Sequence, residues 1–580
     1  MLKTRLIFLL PCIANAVAQA QVAAPTSVVA ASVVAASVVA ASVVVQEQVL
    51  DLTILGPAAW QSRLAPTNVG SLFESELGMQ IIQPQAALLE SFSHGVLGGN
   101  EGLMASLREC LSGFSGALRV FVWQPKGGGF FNPHFSVGVV IGPDGKSDLT
   151  KIAKVLTDVI GKAAGIEWQK EKVADTELDV VATGAERITA PIRVGDRLLM
   201  LYGDGDLAPL LAALKETAVV APKSDAPVAS MTWHCRAIYA VSSNIEKSCM
   251  NSLGFSQLNT VQCQLRSAGP LLLCDTEMRF LPGADRGLFG GLFPNVSSMS
   301  RLVTILPADA TAAWKLGHID LAQTYVAVER LIAKIEGQSF GLRDEEIDPD
   351  MKVDEQQQKL RAEATQKLGL DPVDGLLAYT ATDALLLGSL ADLEARGQFA
   401  FALRLRDEAA FRTAFNQMLE KCKGLVNKFE DIDHNGITIC RYGAPMLGAF
   451  YCAIGRGMIV IAGGEVAEAR VKSLLDAAQA LSLAASEKPA KAIAGFESIA
   501  RYSTAGSNGA GMTSIVPTLQ LGFGGIASIL QPILGRNYLN KLYDEDQLDQ
   551  LAELLTKYQL DRLRMLTGYA DDTWRCRIFW

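Results

Sequence analysis

Val194–Asp204 reads VGDRLLMLYGD, and Ile454–Gly464, 260 residues later, reads IGRGMIVIAGG. Each is a glycine turn running into an apolar strand, and the likeness extends outward from both. Upstream, HFSVGVVIGPDGKSDLTKIAKVLTDVI (His134–Ile160) matches QFAFALRLRDEAAFRTAFNQMLEKC (Gln398–Cys422), each an apolar strand, a polar turn and an amphipathic helix. Leu149, Ile152, Ala153 and Leu156 share one face at helical spacing, and Phe411, Ala414, Phe415 and Met418 repeat it at a constant offset of 262. A two-strand unit follows each helix, ELDVVAT against GITICRY. Another helix comes next, with Leu207, Leu210, Leu211 and Leu214 answered by Val466, Leu474 and Leu475.

The openings and ends also correspond, LAPTNV (Leu64–Val69) with LPADAT (Leu306–Thr311), and QCQLRSAGPLLLCDTEMRF with RLRMLTGYADDTWRCRIFW. Element types in one order over so long a stretch read as a tandem duplication, and two copies of this length make a pair of domains rather than a solenoid. Short turns between strands favour antiparallel pairing, so the expected fold is α+β, with two tandem homologous modules of sheet hairpins packed with amphipathic helices. Module one is expected over 55–298 and module two over 299–580. The acidic LRDEEIDPDMKVDEQQQK (Leu342–Lys359) reads as a solvated insertion. The glycine-rich LQLGFGGIASILQPILG (Leu519–Gly535) is echoed by RGLFGGLFPN (Arg286–Asn295).

The N-terminus speaks of compartment. Lys3 and Arg5, the apolar Leu6–Leu10 and Ala18-Gln19-Ala20 form the three parts of a secretory signal over residues 1–20, cleaved after Ala20. Residues 21–54 hold SVVAASVVAASVVAASVVV from Ser27, with no charge between Arg5 and Glu47. This stretch reads as a Ser/Val/Ala linker, or alternatively as an uncleaved membrane anchor, since Ala23–Val45 is long enough to span. Both place the folded part outside the cytoplasm: periplasmic, envelope-associated or extracellular. The formal charge of −9 becomes −9 − 2 = −11 once Lys3 and Arg5 are removed. An acidic surface without a dense basic run excludes nucleic acid as a partner.

Ten cysteines less Cys12 leave an odd nine. A turn at Ala268-Gly269 would pair residues whose numbers sum to 537, which sets Cys263 opposite Cys274. Cys440 and Cys452 flank another hairpin and can meet in the same way. Both pairs are candidate disulfides in an oxidising compartment, with buried free thiols as the alternative.

The P-x-[DN] opening, the strand–helix–hairpin–helix core and the terminal hairpin after a secretion signal resemble large exported bacterial proteins of a domain-of-unknown-function family (DUF3352-like). The resemblance is one of pattern over most of the chain after residue 55. It implies an envelope location and carries no functional residues.

Chemical motifs are sparse. DIDHNG (Asp431–Gly436) has the first half of a calcium loop, but Tyr442 stands where the twelfth-position glutamate belongs, and a polar turn is the expected reading. YGDGD (Tyr202–Asp206) lacks the rest of a phosphate loop, and Asp204 and Asp206 suit a helix cap. The histidines, His94, His134, His234, His318 and His434, are scattered without metal-ligand spacing. His234 and Cys235 would point to opposite faces of an extended segment. No catalytic, cofactor-binding or metal residue is therefore assigned, and no cofactor is expected. The expected function is a non-enzymatic interaction or structural protein of the cell envelope, with an unknown protein or an apolar ligand as partner. The alternative is a carrier for an apolar ligand such as a lipid, motivated by the glycine-rich stretches. An unrecognised hydrolase is the third reading. Membrane association is an expectation for the N-terminal apolar segment, and the glycine-rich stretches are a second place where a membrane could be touched.

Overall fold

The computed structural model describes residues 46–75, 109, 114–125, 135–142, 148–217, 225–306, 314–338, 349–388, 399–483, 507–514 and 553–579, apart from short interior gaps. The N-terminal signal and linker up to residue 45, and Leu519–Gly535, lie outside the described residues. Among the described residues no helix is long and apolar enough to cross a membrane.

From one outer edge the strands run β4 (Gln169–Val173), β5 (Thr176–Thr183), β6 (Glu186–Thr189), β8 (Arg197–Asp204) and β3 (Ser136–Ile141). They continue through β2 (Ala117–Pro125), β1 (Gln46–Leu55), β9 (Ala229–His234), β10 (Leu258–Ala268) and β11 (Leu271–Phe280). The short β7 (Ile192–Val194) lies beside β6 on β8. From the other edge the order is β15 (Asn427–His434), β16 (Ile437–Ala444), β17 (Gly448–Gly455), β18 (Met458–Gly463) and β14 (Phe399–Leu405). Then follow β13 (Thr380–Leu387), β12 (Trp314–His318), β19 (Ser507–Ser514), β20 (Arg562–Ala570) and β21 (Thr573–Phe579). Every pairing is antiparallel.

The expectation of two modules with separate sheets is corrected at β11 and β21. These two strands pair from Leu273 opposite Phe579 to Arg279 opposite Thr573, so the 21 strands among the described residues form one continuous sheet. The physical reason is an edge problem. Each strand would otherwise end a sheet with a row of unpaired backbone groups, and pairing them satisfies both rows at once. The true outer strands are protected by charge instead: β4 reads QKEKV and β15 reads NKFEDIDH.

Read inward from the two edges, the strand orders match. The β10–β11 turn at Gly269 and the β20–β21 turn at Asp571 differ by 571 − 269 = 302, and Asp275 and Arg577, directly opposite each other, differ by the same 302. That pair therefore marks the point about which the two halves of the sheet correspond.

Helices cover both faces. The helix Leu149–Ala164 lays Leu149, Ile152, Leu156, Val159 and Ile160 on Val137, Val139 and Ile141 of β3. Each such side chain contributes about 1.5–3 kcal/mol by leaving water. Ala208–Glu216 covers the opposite face with Leu210, Leu211 and Leu214 against Val140, Leu199 and Leu201. In the other half Glu408–Lys421 places Phe411 on Leu403 and Leu405, while Ala467–Leu483 places Val471, Leu474 and Leu475 in the core holding Ala400 and Val460. Val466, expected on that face, is 44% exposed. Aspartates start both matching helices: Asp148 accepts from the Thr150 and Lys151 N–H groups, and Asp407 from Ala410.

Three further expectations change. Strand β1 begins at Gln46, inside the expected linker. Residues 349–359 of the expected solvated insertion open the helix Pro349–Leu368, which buries Val353 and packs on Leu321–Gln338. There Glu329, 5% exposed, takes a bidentate Arg361 guanidinium and the Gln357 amide. The glycines of Arg286–Asn295 are packing glycines. A Cβ at Gly290 would stand 2.2 Å from the Gln323 side chain, and one at Gly291 2.3 Å from Thr324 Oγ1. They let Gly287–Leu292 cross closely over the longer helix.

Candidate functional site

Directly opposite residues and their i, i+2 neighbours share one sheet face. One row across the seam is Thr53, Ser230, Gln264, Asp275 and Arg577. The adjacent row is Asp51, Thr232, Gln262, Glu277 and Arg575. All ten positions, spread over β1, β9, β10, β11 and β21, carry polar side chains. The opposite face of the same strands carries Val261, Cys263, Leu265, Met278, Trp574 and Ile578. A polar face this wide, set in a chain with buried cores on both sides, is the feature least explained by folding alone.

Its charges form a braced ladder. Asp275 accepts from Arg577 Nε at 2.5 Å and from Arg266 Nε at 2.8 Å. Glu277 accepts from Arg575 Nε at 3.4 Å and from Arg279 Nη2 at 3.1 Å. Asp51 accepts from Arg119 Nη2 at 2.7 Å, and that guanidinium also lies over the Phe121 ring. Arg564, opposite Phe579, adds one more cation to this face. Six arginines (119, 266, 279, 564, 575, 577) against three carboxylates (51, 275, 277) leave +6 − 3 = +3 within a chain of net charge −9. Arg577 and Asp275 are 18% and 15% exposed, so the field is half-buried rather than an open surface. Arg575 Nη1 is buried without a hydrogen-bond partner, as is Asp51 Oδ1.

One end of the seam is closed by Arg286, which pairs with Asp572 at 2.8 Å between the rings of Phe280 and Tyr569. In the other half, Asp383 accepts from the Arg301 N–H at 2.7 Å and from Arg404 Nη1 at 3.1 Å. His318, opposite Asp383, is spent on Thr382 Oγ1 and the Ser298 carbonyl. These two clusters tie loops to the sheet.

The residues singled out from the sequence fall elsewhere. Cys263 and Cys274 are not opposed: the turn lies at Gly269-Pro270, which pairs Cys263 with Thr276 and Leu265 with Cys274. Gly269 at φ +59° followed by proline is the turn geometry that fixes this register, two beyond the expected sum. Cys440 is directly opposite Cys452, and all four are free thiols. In DIDHNG, Asn435 and Gly436 take φ +53° and +76°, a two-residue hairpin turn; Asp431 pairs with Lys428, and His434 with Asp476. Asp204 ends β8 opposite Glu186, and Leu207, not an aspartate, precedes the helix Ala208–Glu216 without a side-chain cap; Asp206 lies outside the described residues. His234 ends β9, while Cys235 starts the helix Cys235–Val241 and is fully buried, its thiol pushed up to about 12 by burial. Among the described residues no three His, Cys, Asp or Glu side chains gather to hold a metal.

The polar field went unread in the sequence because its residues come from five strands scattered between Asp51 and Arg577. The alternation was there to see in Thr260, Gln262, Gln264 and Arg266 of LNTVQCQLRSA and in Thr573, Arg575 and Arg577 of TWRCRIF. No protein-family model matches the chain, and no curated protein and no solved structure matches it significantly, so the site stands on its own geometry.

Proposed function

We propose that the chain is a non-enzymatic binding protein whose ligand face is the arginine-rich polar field across the seam. The reading rests on one observation: ten successive face positions over five strands are polar, and guanidinium groups around them outnumber carboxylates. Guanidinium forks bind carboxylate and phosphate oxygens with paired, charge-assisted hydrogen bonds. The ligand class is therefore an anion bearing several such oxygens, free or displayed on a larger partner. The exported location implied by residues 1–20 belongs to the same proposal. N-terminal sequencing of the protein from its host tests that part: a start at Gln21 supports cleavage, and an intact Met1 in the membrane fraction refutes it.

Calorimetric titration of the full chain with tripolyphosphate and with citrate tests the site. Binding should weaken as salt rises and fall about tenfold in Arg575→Ala, the loss of one charge-assisted contact. An Arg575→Ala chain that keeps its circular dichroism spectrum and also its affinity overturns the assignment. So does a wild-type chain that binds neither anion.

A further inference from the structure

Four cysteines on two hairpins look alike in sequence, but register separates them. Cys440 and Cys452 occupy directly opposed positions on β16 and β17, on the sheet face beneath the helix Glu408–Lys421. Opposed residues on antiparallel strands hold their Cβ atoms about 4.5–5.5 Å apart. A disulfide needs about 3.5–4.5 Å, so a local inward shift of order 1 Å joins these two. Cys263 and Cys274 sit on a diagonal, where the separation is about 7–8 Å and a bridge would require moving the strands.

The surroundings support the same pair. Cys452 is buried in the same core as Phe411, and Cys440 packs against that core, so both sulfurs lie on one covered face. Cys440 is only half-buried and lies opposite Asp431, beside the Lys428 ammonium. Burial raises its thiol and the Asp431 carboxylate adds to the rise, while the Tyr442 hydroxyl and the Lys428 charge work against it. Cys452 is 3% exposed, with its thiol pushed up to about 12 by burial. Cys440 is the accessible sulfur of the two and is the one placed to react first.

We propose that Cys440 and Cys452 form an intramolecular disulfide by exchange with a small-molecule disulfide. The Cys440 thiolate attacks one sulfur of the reagent, forming a mixed disulfide and releasing one thiol. Cys452, as thiolate, then attacks the Cys440 sulfur and releases the second. The protein dithiol is oxidised, the reagent disulfide is reduced to two thiols, and the two protein protons leave with them. The bridge spans adjacent strands within the sheet's outer meander, far in register from the polar field, so it stands apart from the anion reading.

The test incubates the full folded chain with oxidised glutathione, alkylates the remaining thiols in denaturant and maps the peptides by mass spectrometry. The expected result is a linked Cys440–Cys452 peptide lighter by two hydrogens, with Cys263 and Cys274 alkylated. In Cys452→Ser, glutathione should remain attached to Cys440. In Cys440→Ser, Cys452 should be found alkylated. Alkylation of both Cys440 and Cys452 in the wild-type chain overturns the proposal, as does a Cys263–Cys274 link formed in their place. A Cys452→Ser chain with no glutathione on Cys440 also overturns it.

Discussion

The same sheet row has opposite characters on the two sides of the seam. Running one way from Asp275 it reads Gln264, Ser230, Thr53; running the other way from Arg577 it reads Leu566, Ala510, Leu316. The strand order is matched, yet one side is polar and half-buried and the other is closed core. The difference lies in what covers the face. Leu302 and Ile305 and the helix Ala467–Leu483 descend on the second side, and Leu316 and Leu566 are each 1% exposed beneath them. The charges differ as well: Arg119 on β2 pairs with Asp51, whereas the matching place on β13 holds Leu385, 1% exposed. A shared strand plan thus fixes where side chains point and leaves their chemistry to each half. The polar face is consequently one-sided.

Truncation should expose this asymmetry most strongly on the closed side. Leu566→Ala and Leu316→Ala each should cost about 2–5 kcal/mol, read as a lower midpoint in urea unfolding. A loss under about 1 kcal/mol at both sites would mean that the second side is not closed core. Asp275→Ala comes next. It strips Arg266 and Arg577 of their shared carboxylate, and because these groups are partly solvated the cost is reduced to about 1–3 kcal/mol. The same variant should tighten binding of tripolyphosphate, since it removes a competing anion from the field. Weaker binding would argue that Asp275 positions the arginines rather than occupying them.

A smaller effect is confined to acid. Burial alone would raise the Asp383 carboxyl, but the Arg301 N–H, the Arg404 guanidinium, His318 and Ser300 together hold it below the ordinary aspartate value. A depressed folded pKa contributes stability that is complete above the unfolded value of ~3.9 and is lost as the pH falls through the folded one. Asp383→Asn should therefore flatten the stability–pH curve below about pH 4 and leave its slope above pH 6 unchanged. A changed slope only near neutrality would assign the linkage to another group. Least of all, Gln264→Leu should change stability by no more than about 0.5 kcal/mol, because a half-solvated polar face has little packing to lose or gain. A stabilisation of 1–2 kcal/mol, by the same unfolding assay, would instead mark the field as a buried interior face with a poorly matched polar residue.

Much of the local structure was legible in the chain. The spacing of Leu149, Ile152 and Leu156, and of Phe411 and Ala414, gave helices with the expected inner faces, because amphipathic periodicity depends only on near neighbours. Hairpins were legible for the same reason, although register was not: moving one turn from Ala268-Gly269 to Gly269-Pro270 turned an opposed cysteine pair into a diagonal one. The acidic run before Lys359 read as solvent-facing, and Asp354, Glu355, Gln358 and Lys359 are exposed, yet Val353 is buried and Gln357 donates to Glu329, 28 residues away.

What the sequence determined by itself was the repeated order of strands, hairpins and helices and the apolar face of the matched helices, since these follow from residue periods and turn chemistry. Only the tertiary structure decided that two edge strands, 300 residues apart, would pair and fuse everything into one sheet. The energy for that choice lies in backbone groups that every residue carries, so no side-chain pattern announces it. The same pairing assembled the arginine field, because Asp275 and Arg577 become neighbours only across the seam it creates.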